Sequence, residues 1–193
     1  MAAAPPPMTS PTPPLLGQSY HAECEAAVNL QIQLQLYASY VYLSMAMYCG
    51  RLDVALKSLS GFFLRRSHQW RQLAEKLMWM LNERGGSVAL RDIAKPDRDD
   101  WHGSAQAVEC AYHLEDTLYR SLQELHRLAA GRGDPSLCDF LVRTYLQPQV
   151  LVLRELSCYL SNLRRVGPRR DGLLDVLFGK LSLDDGGKED KDG

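Results

Sequence analysis

Residues with the chemistry for catalysis or metal binding are sparse in this sequence. Glu109 and His113 stand four positions apart, so on a helix both could contact one metal ion, although such a pair is more often solvated. No P-loop, GxGxxG or GxSxG motif is present, and the remaining histidines lack a partner at a ligand spacing. These are His21, His68, His102 and His126. Spacing alone therefore favours no particular enzyme class.

The composition is typical of a single globular domain. The 193 residues are enough for one complete core, with 46% hydrophobic and 23% charged residues. A net charge of -1 gives no overall electrostatic reason to expect nucleic acid or an anionic membrane as a partner. The five cysteines are odd in number, widely spaced and without a CxxC pair, which favours reduced thiols in a cytosol-like compartment.

The two ends of the chain differ from its middle. Residues 1–19 hold six of the ten prolines and no charged side chain, which predicts an unfolded, partly polyproline II extension. Residues 184–193 are predicted to be a disordered acidic tail, which leaves 20–183 as the folded domain. No secretory or mitochondrial address is visible, since the first basic residue is Arg51. We expect the cytoplasm, with the nucleus as an alternative.

Four long helices and one short helix are predicted between these ends. They span about 23–48, 53–84, 104–130 and 134–166, followed by 172–183, with Asp53 and Asp134 as the N-caps of the second and fourth. Short connections make two antiparallel hairpins, while 85–103 is long enough to run the length of the bundle. The expected fold is an all-α four-helix bundle with one long crossover. Residues 30–36 alternate as a strand would, but their flanks favour a helix.

The first helix carries no charged residue between Ala26 and Gly50, so a membrane span has to be considered. Asn29 and the glutamines that follow it interrupt its first half, and the apolar remainder, 36–49, falls short of the ~18 residues that a span requires. A helix buried on several faces is the better interpretation, and no membrane partner is expected.

Short motifs spread over all the helices indicate one family. They read YASYVYLSM at 37–45, DVALK at 53–57, AEKLM at 74–78, HLE at 113–115, DPSLCDF at 134–140 and LFGK at 177–180. With these motifs, the chain resembles a ferritin heavy chain from about Gln18 to about Leu183. The resemblance implies a subunit that joins itself or other ferritin subunits in a cage of two dozen, where Fe(II) is oxidised by dioxygen and stored.

The resemblance also implies where the family's two-iron oxidation centre would fall. Its glutamates and its histidine correspond here to Gln35, Gln69, Trp70 and Leu73. An amide binds hard iron cations weakly, and an indole or an isobutyl group offers no ligand. Three positions keep the family's residue, namely Tyr42, Glu115 and Gln149. Taken without the resemblance, Glu115 would be a helix-surface carboxylate. With it, Glu115 and Gln149 are the remnants of a metal site that holds iron weakly or not at all.

Positions that handle iron elsewhere in the family are altered as well. The acidic cluster on the inner face of helix two corresponds to Gln69 and Gln72, with Glu75 retained. At the threefold pore Asp139 remains, but its acidic companion is Val142, so the negative potential that attracts cations should be weaker. At the fourfold axis the fifth helix would present an apolar plug of Leu177 and Leu181.

Pro148 lies within the predicted fourth helix. It removes one backbone donor and crowds the carbonyl of Thr144, at a cost of roughly 3 kcal/mol in a regular helix. We expect a kink there that displaces Gln149.

Three functions follow as hypotheses. The preferred one is a heavy-chain-like shell subunit, associated with iron storage, that does not itself oxidise iron. A second is a residual ferroxidase that uses Glu115 with other ligands. A third is a nuclear or tissue-restricted interaction protein, whose proline-rich arm or arginine cluster binds a partner, with nucleic acid as a minority possibility. That cluster is Arg164, Arg165, Arg169 and Arg170.

Overall fold

The protein folds as a bundle of four helices, and the computed structural model describes residues 21–98, 100–165, 175–176 and 179. The first three helices are α1 (Ala22–Cys49), α2 (Lys57–Glu83) and α3 (Ser104–Gly131). The fourth is continuous in three parts: α4 (Pro135–Leu141), a π-helical turn (Val142–Leu146) and α5 (Gln147–Arg165). No strand occurs in these ranges, and 175–176 and 179 are helical within the expected fifth segment. The predicted all-α class is confirmed.

Several expectations concern residues outside this description. They are the proline-rich extension 1–19, the acidic tail 184–193, most of the fifth helix with Leu177 and Leu181, and Arg169 and Arg170 of the arginine cluster. They remain predictions.

The alternating segment 30–36 lies inside α1, so the helical interpretation of it is correct. Cys24, Val28 and Ile32 are buried along one line of this helix, and Gln31 and Gln35 are buried beside them. Burial on more than one face explains why α1 carries no charged residue after Glu25, because charged side chains are rarely fully buried without a partner. Among the described helices, none combines the length and the apolarity needed to cross a membrane.

The long crossover between α2 and α3 is held against α1 by amide side chains. Asn29 donates from Nδ2 to the carbonyl of Ser87 (3.0 Å) and accepts at Oδ1 from the N–H of Ala89 (2.7 Å). Gln33 donates to the carbonyl of Asp92 (3.0 Å). A loop that runs along a helix needs partners for its own backbone groups. The polar residues in the first half of α1 supply them.

The predicted start of α2 was wrong. α2 begins at Lys57 rather than just after Asp53, whose carboxylate instead pairs with Arg51 (2.6 Å) in the exposed turn before the helix. The helix is capped from elsewhere in the chain, since Oδ1 of Asp175 accepts from the N–H groups of Ser58 (2.8 Å) and Leu59 (3.2 Å). The C-terminal segment therefore supplies the N-terminal cap of α2.

The start of the fourth helix is as predicted. Asp134 is its N-cap and accepts at Oδ1 from the N–H of Leu137 (2.9 Å), while Oδ2 accepts from Arg84 at the end of α2 (2.6 Å). Nearby, Arg132 pairs with Glu23 in the first turn of α1. These contacts fasten α1, α2, α3 and α4 together at one end of the bundle.

Pro148 is accommodated by the π-helical turn that precedes it. The N–H of Gln147 donates to the carbonyl of Val142, five residues back, so the helix is wider than normal just before the proline. A wider turn gives the ring room beside the carbonyl of Thr144, the contact that a regular helix would crowd. The predicted distortion is present, and it takes the form of a π bulge.

Replacing Asp134 with alanine should destabilise the protein by about 2 kcal/mol, because the change removes both a helix cap and the partner of a largely buried arginine. Urea unfolding followed by circular dichroism measures this. The matched control is Asp53→Ala, which breaks a solvent-exposed pair and should change little. Equal effects of the two substitutions would contradict the assigned role of Asp134.

Candidate metal centre at the middle of the bundle

Glu115 lies at the midpoint of α3 and points into the bundle. Its side chain is 0% exposed, and Ala111, Leu118 and Leu122 on the same face of α3 are buried with it. A surface carboxylate, which is what residue 115 would be on spacing alone, is therefore the wrong description of it. A buried carboxylate requires compensating donors or a cation.

The other two retained positions converge on this carboxylate. Oε1 of Glu115 accepts from the hydroxyl of Tyr42 on α1 (2.6 Å) and from Nε1 of Trp70 on α2 (3.1 Å). Oε2 accepts from the side-chain amide of Gln149 on α5. Tyr42, Glu115 and Gln149 are thus brought together as the resemblance implied. Trp70, which offers no ligand to a metal ion, is a hydrogen-bond donor to this carboxylate.

The positive charge at the centre comes from Arg66 of α2. Arg66 was not predicted from the sequence. Its Nη2 and Nε donate to Oε1 of Glu115 (2.5 and 3.0 Å), and its side chain is only 10% exposed. Nη1 donates to Oε1 of Gln69 (2.8 Å). The guanidinium carbon also lies 5.4 Å from the ring centroid of Trp70 and 6.0 Å from that of Tyr42, within the range of cation–π attraction.

A signal for Arg66 was present in the sequence. The buried stripe of α2 repeats every three or four residues, and Arg66 is its one charged member. The stripe is Leu59, Phe63, Arg66, Trp70, Ala74, Leu77 and Leu81. Because a charge in such a stripe must find a buried partner, this periodicity could have predicted the pair with Glu115.

The network shifts the pKa values of Tyr42 and Arg66. Burial, followed by the charge of Glu115, raises the pKa of the Tyr42 hydroxyl well above its ordinary value of 10.0. Burial opposes the charge on Arg66, but the charges of and hydrogen bonds to Glu115 and Tyr42 together outweigh it, and the pKa of Arg66 is raised. Tyr42 is therefore a neutral donor, and Arg66 remains a cation.

The replaced ligand positions offer little to a metal. Trp70 is fully buried, Leu73 packs partly buried against the core, and Gln69 is exposed with its side-chain oxygen engaged by Arg66. Gln35 is fully buried, and its amide has no hydrogen-bond partner among the described residues. Among these four described positions, the one buried polar group left without a partner is therefore a neutral amide.

These residues do not fit the two-iron centre that the fold would otherwise support. Two ferrous ions need several anionic oxygens and an imidazole to balance their charge. The bundle provides one carboxylate at this point, and Arg66 already neutralises it. In the part of the chain that the structure describes, no group of three or more His, Cys, Asp or Glu side chains is placed to hold a metal ion.

Two acidic residues outside the centre have basic partners. Asp139 pairs with Arg143 one turn later (2.9 Å), and Glu75 pairs with Arg71 (3.5 Å). Both were retained in the resemblance as carboxylates that attract cations. The adjacent arginine offsets the negative potential of each carboxylate.

The predicted displacement of Gln149 was wrong. Although Pro148 precedes it, Gln149 is 4% exposed and its amide reaches Glu115. The π-helical turn absorbs the distortion before the proline, so α5 keeps its inward face. In the same turn Tyr145 donates its hydroxyl to the carbonyl of Leu73 (2.7 Å), which holds the widened turn against α2.

A four-helix bundle with one long crossover is the arrangement of the ferritin-like class of bundles. Residues 25–166 match the ferritin-like domain of the Ferritin family. The chain belongs to the ferritin family. Members of this family are proteins of the iron-storage type, and they typically assemble into oligomeric cages.

Replacing Arg66 with methionine should destabilise the protein by about 3–5 kcal/mol, because Glu115 would be left as an unpaired buried charge. Chemical denaturation measures this loss. Adding Glu115→Gln to Arg66→Met should recover most of it, since no unpaired charge then remains. If the double substitution is no more stable than the single one, the pair is not the source of the effect.

Alkaline pH should also weaken the fold through Tyr42. Because its folded pKa is raised, the stabilisation is fully present below the unfolded tyrosine pKa and is lost as pH rises above about 10. The free energy of unfolding, measured in urea from about pH 8 to about pH 11, should fall with pH. Tyr42→Phe should lower stability at neutral pH and flatten this dependence. An unchanged slope in that variant would contradict the assignment.

Proposed function

We propose that this protein is a heavy-chain-like ferritin shell subunit that takes part in iron storage without oxidising iron itself. The observation that carries the proposal is the Arg66 guanidinium, which pairs with Glu115 at the midpoint of the bundle. The protein supplies its own cation at a position where a ferroxidase would need a cluster of anionic ligands.

The electrostatic repulsion between Arg66 and a ferrous ion at Glu115 supports the absence of ferroxidase activity. A ferrous ion bound to Glu115 would lie about 4 Å from the guanidinium, where the repulsion is on the order of 8 kcal/mol at an effective dielectric constant of about 20. Arg66 cannot relieve this by losing its proton, because guanidinium remains charged at every physiological pH. Trp70 adds a steric obstacle, since its buried indole lies within 3.1 Å of the same carboxylate oxygen.

A shell role is supported by the outer surface of α1. Tyr40, Leu43 and Met47 form an exposed apolar stripe at helical spacing, and Leu90 and Ile93 of the crossover are exposed as well. Exposed apolar clusters of this kind mark surfaces that associate with other chains. A self-complementary contact between two copies, related by a twofold axis, would cover this stripe.

Purified protein given Fe(II) in air should consume oxygen no faster than a buffer blank. Oxygen-electrode traces, with iron added in steps, check this, and rapid saturable uptake would show a residual ferroxidase. The decisive comparison is a redesigned chain that carries Gln35→Glu, Gln69→Glu, Trp70→Glu, Leu73→His and Arg66→Gln. It should gain oxygen uptake. A matched chain with the same four ligand substitutions but native Arg66 should gain much less.

Native mass spectrometry tests the shell itself. The purified chain should form a large closed assembly, alone or when mixed with an active ferritin heavy chain. Tyr40→Lys with Met47→Lys should reduce that assembly, because the new charges would be buried at the interface. A monomer under both conditions would favour an interaction protein built on a ferritin fold.

A further inference from the structure

A pocket of about 360 Å³ lies between α2 and the middle of the fourth helix. The π-helical turn borders it, since Thr144 and Tyr145 of that turn line the pocket together with Pro148. Single π-helical turns within α-helices are frequent at functional sites, and the volume falls in the range of small-molecule sites. The turn that accommodates Pro148 therefore also borders a cavity that is large enough for a ligand.

Basic side chains outnumber acidic ones around this pocket. Arg65, Arg66 and Lys76 line it from α2, and Glu155 of α5 is the one carboxylate among the lining residues. Arg66 lines the pocket, whereas its partner Glu115 does not. The excess of positive charge favours an anion as the occupant and disfavours a metal ion.

The charges are unevenly distributed along the pocket. α2 and the fourth helix run antiparallel here, and they meet where the Tyr145 hydroxyl donates to the carbonyl of Leu73 (2.7 Å). Arg65 precedes Leu73, and Glu155 follows Tyr145, so both lie at the same end of the pocket. Their opposite charges offset each other at that end.

Lys76 provides the positive charge at the other end. Among the described residues it forms no ion pair, in contrast to Arg71, which pairs with Glu75 on the same helix. Gln72, one turn before Lys76, and Thr144 also line this end. The ammonium, the amide and the hydroxyl are all hydrogen-bond donors, and three donors match the three terminal oxygens of a phosphate monoester.

Much of the remaining lining is apolar and suits the organic part of such a phosphate. It consists of Phe62, Leu73, Tyr145, Pro148 and Val152. Ligand sites typically combine an apolar wall with a few polar groups that fix the orientation of the ligand. An inorganic phosphate would use the polar groups alone, whereas an organic phosphate would also bury apolar surface, which favours binding.

The pocket lies on the face of α2 that carries Gln69 and Gln72, the inner face in the proposed shell. A small solute is therefore the occupant to expect, because a closed shell excludes macromolecules from its interior. This restriction rests on the proposed function. The contacts themselves come from one chain, so binding does not require assembly.

We propose that this pocket binds a small organic phosphate. The phosphate group is held by Lys76, Gln72 and Thr144, and the organic part packs against Tyr145 and Val152. The site lies beside the centre where the family resemblance implies iron, and its charge selects the opposite kind of ion.

Phenyl phosphate is a suitable probe, because it joins a phosphate to an apolar ring. A ligand-observed NMR titration of the full chain at neutral pH should show saturable binding. The affinity should exceed that of inorganic phosphate and of phenol by at least about tenfold, because each of these makes only part of the contacts. Benzoate, with two oxygens instead of three, should bind more weakly than phenyl phosphate. Equal affinity for inorganic phosphate or for benzoate overturns the assignment.

Variants locate the site. Lys76→Gln should weaken the binding of phenyl phosphate about fivefold, the effect expected for one solvent-exposed ion pair. The matched control is Arg71→Gln, outside the pocket, which should leave the affinity unchanged. Val152→Phe should block binding by filling the pocket, while Val150→Phe, at an exposed position outside the lining, should not. Circular dichroism checks that each variant is folded.

Equal effects of Lys76→Gln and Arg71→Gln would contradict the proposal, because binding would then reflect charge in general. Native mass spectrometry of the same samples separates this inference from the shell. Binding by a chain that stays monomeric would sustain the phosphate site while removing the shell.

Discussion

A carboxylate buried at the centre of a helical bundle must have its charge balanced, and this requirement organises the protein. Glu115 receives donors from every side of the bundle: Tyr42 from α1, Arg66 and Trp70 from α2, and Gln149 from α5. In a ferritin that binds metal there, cations perform this balancing. Here a side chain of the protein does so. The neutral residues around the site are consistent with that change, because additional carboxylates there would have no cation to balance their charge.

Compared with the ligand set that the family resemblance implies, the centre does more than lack metal ligands, because it contains a cation of its own. Replacing several glutamates by neutral groups while keeping Glu115 would leave one uncompensated charge in the core, which is strongly destabilising. Arg66 resolves this, and the faces of Trp70 and Tyr42 add cation–π attraction to the guanidinium. Trp70 and Arg66, one turn apart on α2, therefore act together. The Trp70 indole fills the space at the centre of the bundle, and Arg66 supplies the positive charge that balances Glu115.

The sequence predicts the fold well and the centre only in part. The four helices, the crossover and the convergence of Tyr42, Glu115 and Gln149 follow from periodicity, caps and resemblance, because these are local signals repeated many times. Arg66 was missed because it does not stand at a ligand position of the family and reaches the site only through its long side chain. The displacement expected for Gln149 failed because a π-helical turn, a feature without a clear sequence signature, absorbs the effect of Pro148. The start of α2 was misplaced because its cap, Asp175, is remote in sequence.

That remote cap has a consequence for biosynthesis. Asp175 lies 117 positions after Ser58 and accepts a hydrogen bond from its N–H, so the first turn of α2 lacks this acceptor until residue 175 has left the ribosome. A nascent chain can pair α1 with α2 early, but it cannot finish the beginning of α2 by local contacts. A segment translated much later thus completes α2, and products that terminate before residue 175 would lack this cap, so the first turn of α2 would fray.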